Sequence, residues 1–220
     1  SGASREPGRE RFDFIARFRD GAALARVVWS DPAVRRDAVP PGSPTLSSTW
    51  LGWTWSFPSS SVWGATATGQ NPLAVRSDLP IAGPVMADGD TLIFQAGIRV
   101  ERMRRGMRQP EALSPTSADQ WSPVVSHGRI AWMDQRDEPR GTRERPRNPQ
   151  VYLLEPGSTT PTRVTRDAPA AFRAWPWLDD AWLVWVDTRS DALPDRGADM
   201  SQYARADVYG YQLATHREVA

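Results

Sequence analysis

Few residues in this chain are equipped for covalent chemistry. Its 220 residues include two His and no Cys, which excludes disulfides, thiolate metal sites and cysteine nucleophiles. His127 stands in a Ser-His-Gly turn before an apolar run, and His216 closes the segment DVYGYQLATH. Neither lies in a Ser–His–Asp context, and no G-x-S-x-G elbow or H-E-x-x-H pattern occurs. Glycine-rich phosphate loops are missing too. The 26 acidic side chains could in principle supply the carboxylate pair of a glycoside hydrolase, but no spacing nominates one. The expectation is no catalytic residue, no metal and no cofactor.

What remains is the chemistry of recognition, in three segments. TLSSTWLGWTWSFPSSS at 45–61 alternates so that Leu51, Trp53, Trp55 and Phe57 fall on one side of an extended chain and Trp50 on the other. Trp50, Trp53 and Trp55 would then form a platform for a sugar ring or a protein partner, because Trp joins a large apolar face to a polar N–H. The competing reading is an extra strand packing its Trp face into a core, the commoner fate of aromatics. The second segment, QRDEPRGTRERPRNPQ at 135–150, sets Arg140, Arg143 and Arg145, flanked by Arg136 and Arg147, against Asp137, Glu138 and Glu144. It suits a carboxylate, a phosphate or an acidic protein surface, and equally a solvated mixed-charge loop. The third, at 188–206, leads to Asp207 through Asp191, Asp195 and Asp199. These could offer oxygen ligands to calcium, but their spacing matches no EF-hand and Arg residues are interleaved.

Composition narrows the classes. Lys+Arg of 27 against Asp+Glu of 26 gives net +1, so no global field points to nucleic acid. No run approaches the 18 or so apolar residues of a membrane-spanning helix. At 40% hydrophobic and 24% charged the chain can build a core, and 20 Pro with 16 Gly favour turns over long helices. Every basic residue is Arg and Asn occurs twice, a bias expected of a GC-rich bacterial genome. The chain opens on Ser1, as a processed, trimmed or partial chain would. Absence of Cys suits an exported protein without staples, and a cytosolic one as well.

The elements that must position these segments come from an internal repeat. HGRIAWMDQR, QVYLLEPG and TRVTRD are echoed by DDAWLVWVDTR, DVYGYQLATH and REVA. Trp132, Asp134 and Arg136 correspond to Trp185, Asp187 and Arg189 at an offset of 53. Upstream, Trp29 and Asp31 of ARVVWSD fall in the same frame, Trp63 stands opposite Tyr209, and Phe94 stands opposite Trp132, with Val100 on the following strand. From the second anchor of one copy to the first of the next the spacings are 31, 32 and 33, whereas within a copy they are 34, 6, 20 and 24. Variation confined to one interval is what a repeated unit with one variable loop produces. Each copy reads as four short strands bounded by turns, in the third copy over 121–126, 129–134, 150–155 and 161–165. Four antiparallel strands repeated about an axis describe the blades of a β-propeller.

W-x-D-x-R followed by D-V-Y-x-Y-x-L-A-T, with P-E-A-L-S-P-T and S-P-V-V-S at 110–126, resembles the TolB-like (WD40-like, PD40) propeller repeats of bacterial envelope and surface proteins. The resemblance covers 110–220 well, 80–110 fairly and 1–60 poorly. It implies an all-β propeller of six or seven blades, whereas the repeats count about four, at 10–78, 80–116, 119–167 and 170–220, with a fifth hidden in 1–60 or a larger ring as alternatives. The long connections 32–61, 135–150 and 188–206 should gather on one face. The function expected is a non-enzymatic binding module in the periplasm or outside the cell, with a protein partner held by Trp50, Trp53, Trp55, Arg140, Arg143 and Arg145. Carbohydrate binding through the Trp set is the second reading and a glycosidase the third. Repetition of Asp31, Asp134 and Asp187 argues that they are structural, since an active site is not copied once per blade.

Overall fold

Short apolar runs punctuated by tight turns become strands throughout, and the described residues contain no helix. In the computed structural model the described residues are 12–17, 24–29, 44–55, 59–68, 71, 73–137, 149–166, 172–190 and 206–219. Four sheets follow one another along the chain, each of four antiparallel strands in sequence order. Blade I comprises β3 (Thr45–Leu46), β4 (Trp50–Trp55), β5 (Ser60–Thr66) and β6 (Leu73–Leu79). Blade II comprises β7 (Ala82–Asp88), β8 (Thr91–Ala96), β9 (Arg99–Arg104) and β10 (Glu111–Ala112). Blade III comprises β11 (Gln120–Ser126), β12 (Arg129–Asp134), β13 (Gln150–Leu154) and β14 (Thr162–Arg163). Blade IV comprises β15 (Arg173–Leu178), β16 (Trp182–Asp187), β17 (Asp207–Gln212) and β18 (Arg217–Val219). This is the all-β, four-bladed propeller architecture expected.

The N-terminal end departs from the expected frame. β1 (Phe12–Arg17) and β2 (Leu24–Trp29) pair only with each other, as a separate two-stranded sheet. Blade I therefore does not run over 10–78 as one sheet. Its first anchor is Trp53, which lies opposite Trp63 in the ladder, and not Trp29. The connection 32–61 is corrected with it, because β3, β4 and the start of β5 fall within that interval and the link from second to third strand is only 56–59. In blade II the ladder partner of Phe94 is Glu101, one residue beyond Val100.

Three of the four core clusters lie between blades. Trp50 and Val62 of blade I meet Val85, Leu92, Phe94 and Met103 of blade II. Ile93 and Val100 of blade II meet Ile130, Trp132 and Tyr152 of blade III. Ala131, Met133, Val151 and Leu153 of blade III meet Leu178, Leu183 and Trp185 of blade IV. Both faces of an interior blade are thus buried, and packing runs from each blade to the next. Among the described residues, no comparable packing joins blade IV back to blade I.

Close approach at the first interface depends on glycine. A Cβ on Gly64 would stand 2.8 Å from Trp50 Cζ3 and 3.0 Å from Leu92 Cδ1, and one on Gly52 would stand 2.8 Å from Val85 Cγ1. On the first strands of blades II, III and IV the ladder breaks at a bulge that takes in Pro84, Pro123 and Pro176. Proline has no N–H to donate and suits a position where pairing lapses. The turns joining first to second strands are tied in series across the blades. Ser47 Oγ and Thr49 Oγ1 donate to Gly89 O at 2.7 and 2.6 Å, Gly128 N donates to Asp88 Oδ2 at 2.7 Å, and His127 pairs with Asp180.

Overpacking a tight core typically costs about 1–3 kcal/mol. Gly64→Val should therefore lower stability by about that amount or more in urea unfolding. Gly89→Ala, where a Cβ meets nothing within 4 Å but φ is +50°, should cost only about 1 kcal/mol.

Candidate functional site

The best-developed polar constellation is built around the two repeated Asp residues. In blade III, Asp134 ends β12 and is fully buried. Its Oδ2 accepts from Trp132 Nε1 at 2.9 Å, Gln120 Nε2 at 2.8 Å and an Arg136 guanidinium nitrogen at 2.5 Å, while Oδ1 accepts from Arg136 N at 2.8 Å. The Arg136 guanidinium then lies 4.1 Å from the ring centre of Tyr152, which stacks on Trp132 at 6.4 Å. Blade IV repeats the design. Asp187 accepts from Trp185 Nε1 at 3.2 Å, Arg189 N at 2.9 Å and Arg189 Nε at 2.7 Å, and Arg189 sits 4.1 Å above Tyr209.

The copies differ in one member. Where blade III has Gln120, blade IV has Arg173, fully buried and donating to Asp187 at 2.8 Å, Gln150 at 3.1 Å and the carbonyl of Arg166 at 2.9 Å. Burial alone would raise the pKa of Asp134, but the bonds from Arg136, Trp132 and Gln120 outweigh it and hold the carboxyl below its usual range. Burial acts the same way on Asp187, and Arg189, Arg173 and Trp185 overcome it. Both oxygens of each carboxylate are engaged by the fold. These aspartates hold structure and present no free acid or base.

The expected site residues fall in different places. Trp53 is 1% and Trp50 6% exposed, which corrects their placement on an open platform. Trp53 stacks on Trp63 at 6.3 Å, and Trp50 packs against blade II and donates to Asp90 O at 2.7 Å. The physical reason is that both faces of β4 meet protein, so alternation there separates two cores and not core from water. The main chain of Trp55 ends β4, and its side chain lies outside the described residues, as do Arg140, Arg143 and Arg145 and also Asp191, Asp195 and Asp199. Asp207 begins β17 and accepts from Ser190 Oγ.

The connections 135–149 and 188–206 do link second to third strands, in blades III and IV respectively. Both start immediately after a buried Asp and carry the Arg that pairs with it as their second residue, so each long segment is rooted at the same point of its blade. In blade II the equivalent link is only Gly97-Ile98.

His127 meets Ser126 Oγ at 3.0 Å and also Asp180, but both contacts are at Nδ1. A relay needs the two partners on opposite ring nitrogens. His216 bonds Tyr211 through Nδ1 at 3.1 Å. Among the described residues no group of three or more His, Cys, Asp or Glu is placed to hold a metal ion. A cleft of about 240 Å³ between blades II and III is lined by Arg102, Arg104, Asp90 and Glu155. Arg102 there is engaged by Glu111 and Glu155 by Arg129, and the space is below that of usual ligand pockets.

The chain matches no protein-family model and no curated protein sequence. It is similar in structure to TolB from Acinetobacter baumannii, at 15% identity and a TM-score of 0.55 over 96% of this chain and 48% of that one. It is similar to the β-propeller domain of the Trilobed protease from Pyrococcus furiosus, described as having an open velcro topology, at 9% identity and a TM-score of 0.55 over 96% and 64% of the two chains. A puromycin-hydrolyzing peptidase of Mycobacterium tuberculosis aligns at 15% identity and a TM-score of 0.58 over 90% and 33%. The chain thus spans about half the length of the TolB structure. These likenesses establish a TolB-like propeller fold. The described residues hold no helix long and apolar enough to cross a membrane.

Removing one partner of a buried ion pair typically costs about 3–5 kcal/mol, and stranding buried neutral donors costs about 1–3 kcal/mol. Asp187→Ala, which strands Arg173, should therefore destabilise more than Asp134→Ala, measured by urea unfolding at pH 7. Acid should act in the same direction. Both carboxyls have folded pKa values lowered beneath the unfolded value of about 3.9. Their contribution is complete above that value and is lost as pH falls through the folded pKa. The urea midpoint should fall below about pH 4, and less steeply in Asp187→Ala.

Proposed function

We propose that this chain is a non-enzymatic binding scaffold of the bacterial envelope or exterior, in which blades III and IV hold out the segments 135–149 and 188–206 to a protein partner. The observation carrying this reading is the common root of the two segments. Each leaves its blade between second and third strands, directly after an Asp that the fold has fixed with three side-chain donors. A long connection on a rigid base is where propellers and other repeat folds carry recognition. Arg140, Arg143 and Arg145 lie within the first segment, and guanidinium groups favour carboxylates in a bidentate fork. The partner surface is therefore acidic. The fold itself is compatible with enzymes, since one similar structure is a peptidase, but fold does not carry activity.

A fluorescent peptide of consecutive glutamates serves as probe, read by anisotropy at low ionic strength. The triple substitution Arg140→Glu, Arg143→Glu, Arg145→Glu should weaken its binding at least about tenfold, or about 1.4 kcal/mol, while the melting temperature stays within a few degrees. Undiminished binding by the triple variant would remove this segment from the site.

A further inference from the structure

The tight turns lie at the end of the blades opposite the roots of 135–149 and 188–206. At that end, between blades I and II, is a pocket of about 170 Å³ lined by Trp50 and Leu73 of the first blade and by Met103, Arg105 and Met107 of the second. Trp50 and Met103 are buried, whereas Leu73 is 40% exposed. The polar atoms of this wall are already spent. Trp50 Nε1 donates to Asp90 O at 2.7 Å and Thr49 Oγ1 to Gly89 O at 2.6 Å. Met107 N donates to Arg104 O at 3.0 Å and Arg104 N to Met107 Sδ at 3.3 Å, which holds the thioether in place. What the pocket offers a guest is therefore apolar contact.

The turn that carries Met107 is also strongly basic. Arg104, Arg105 and Arg108 are all exposed, and among the described residues their guanidinium groups have no ion-pair or hydrogen-bond partner. Glu101 and Glu111, the acids of the same hairpin, are taken by Arg76 and Arg102. The Asp90 carboxylate accepts from Thr91 Oγ1 at 2.9 Å. In a chain of net charge +1, three uncompensated cations on one turn are a local excess that complements a negative guest.

We propose that this pocket and the arginines beside it form a second recognition site, which takes an acidic peptide segment carrying one large apolar side chain. Size sets the apolar part of the guest. An engineered cavity of about 150 Å³ holds benzene, so the space suits a single Leu or Phe side chain and is too small for the acyl chains of a membrane lipid. Charge sets the rest. Guanidinium groups spaced along a turn match carboxylates spaced along a peptide, each pair a charge-assisted bond. An anchor side chain in a pocket with charged neighbours outside it is the common division of labour in peptide recognition. The site lies on the face opposite the segments 135–149 and 188–206 and does not depend on what those segments bind.

Fluorescence anisotropy tests this with a labelled peptide, Asp-Glu-Asp-Leu-Asp-Glu-Asp, against the same peptide with Ala in place of Leu, at low ionic strength where exposed charges act most strongly. The full chain should bind the Leu peptide at least about tenfold more tightly than the Ala peptide. Arg105→Glu combined with Arg108→Glu should weaken the Leu peptide at least about tenfold, and Leu73→Asp should abolish the preference for Leu. All three residues are exposed, so the melting temperature should stay within a few degrees. The triple variant Arg140→Glu, Arg143→Glu, Arg145→Glu should keep the Leu preference, which separates this site from the segment 135–149. Equal binding of the two peptides overturns the proposal. A Leu preference that survives both pocket variants, or that is lost in the triple variant, overturns it as well. Binding to phosphatidylglycerol vesicles without any Leu preference gives the arginines to a membrane surface and overturns it too.

Discussion

A carboxylate removed from water and surrounded by donors is the constraint on which blades III and IV depend. An ionised Asp at full burial is tolerable only if its lone pairs are filled. Filling them fixes three things at once. The indole N–H fixes the rotamer of the core Trp, the donor from the first strand fixes its register against the second, and the Arg fixes the direction in which the chain leaves the blade. Tyr152 and Tyr209 then receive the Arg on their ring faces, so the third strand is tied to the same point. A short motif thereby positions three strands and the root of a long connection.

Blades I and II solve the same problem without the charge. Residue 96 of blade II is Ala and residue 55 of blade I is Trp where the later blades carry Asp. Their cohesion comes from Gly52 and Gly64 admitting Val85 and Leu92, and from the ion pair of Arg76 with Glu101, in which two bonds of 2.7 Å join the outer strand of blade I to blade II. Both routes keep adjacent sheets close enough to share one apolar layer. The charged version specifies direction more strongly, and it is found in the two blades that carry long connections.

How much of this could be read beforehand follows from where the motif is intact. In blade III the strands expected at 121–126, 129–134, 150–155 and 161–165 appear at 120–126, 129–134, 150–154 and 162–163, because W-x-D-x-R and the flanking turns leave little freedom. In blade I the Asp is missing, and the W-x-D of Trp29 and Asp31 offered a false anchor two strands upstream. For Trp50 and Trp53 the sequence offered both burial and an open platform, and alternation could not choose between them. Alternation marks an exposed side only in a sheet with one wet face, and a propeller blade has core on both. The bulges had a signal that went unused, a Pro followed by Val or Trp at 84–85, 123–124 and 176–177.

The serial arrangement of blades also bears on how the molecule comes apart. Among the described residues the main contacts of each sheet are with its neighbours, so the energy holding it is largely a sum of nearest-neighbour interfaces, as in other linear arrays. Among the described residues an interior blade packs on two neighbours and blade IV on one, so local opening is easier in blade IV than in the interior of the series. The strand least held is β18, three residues long and paired only to β17. Slow amide exchange would accordingly concentrate in β8 and β12, deep inside the stack, and protection would decline towards the C-terminal edge.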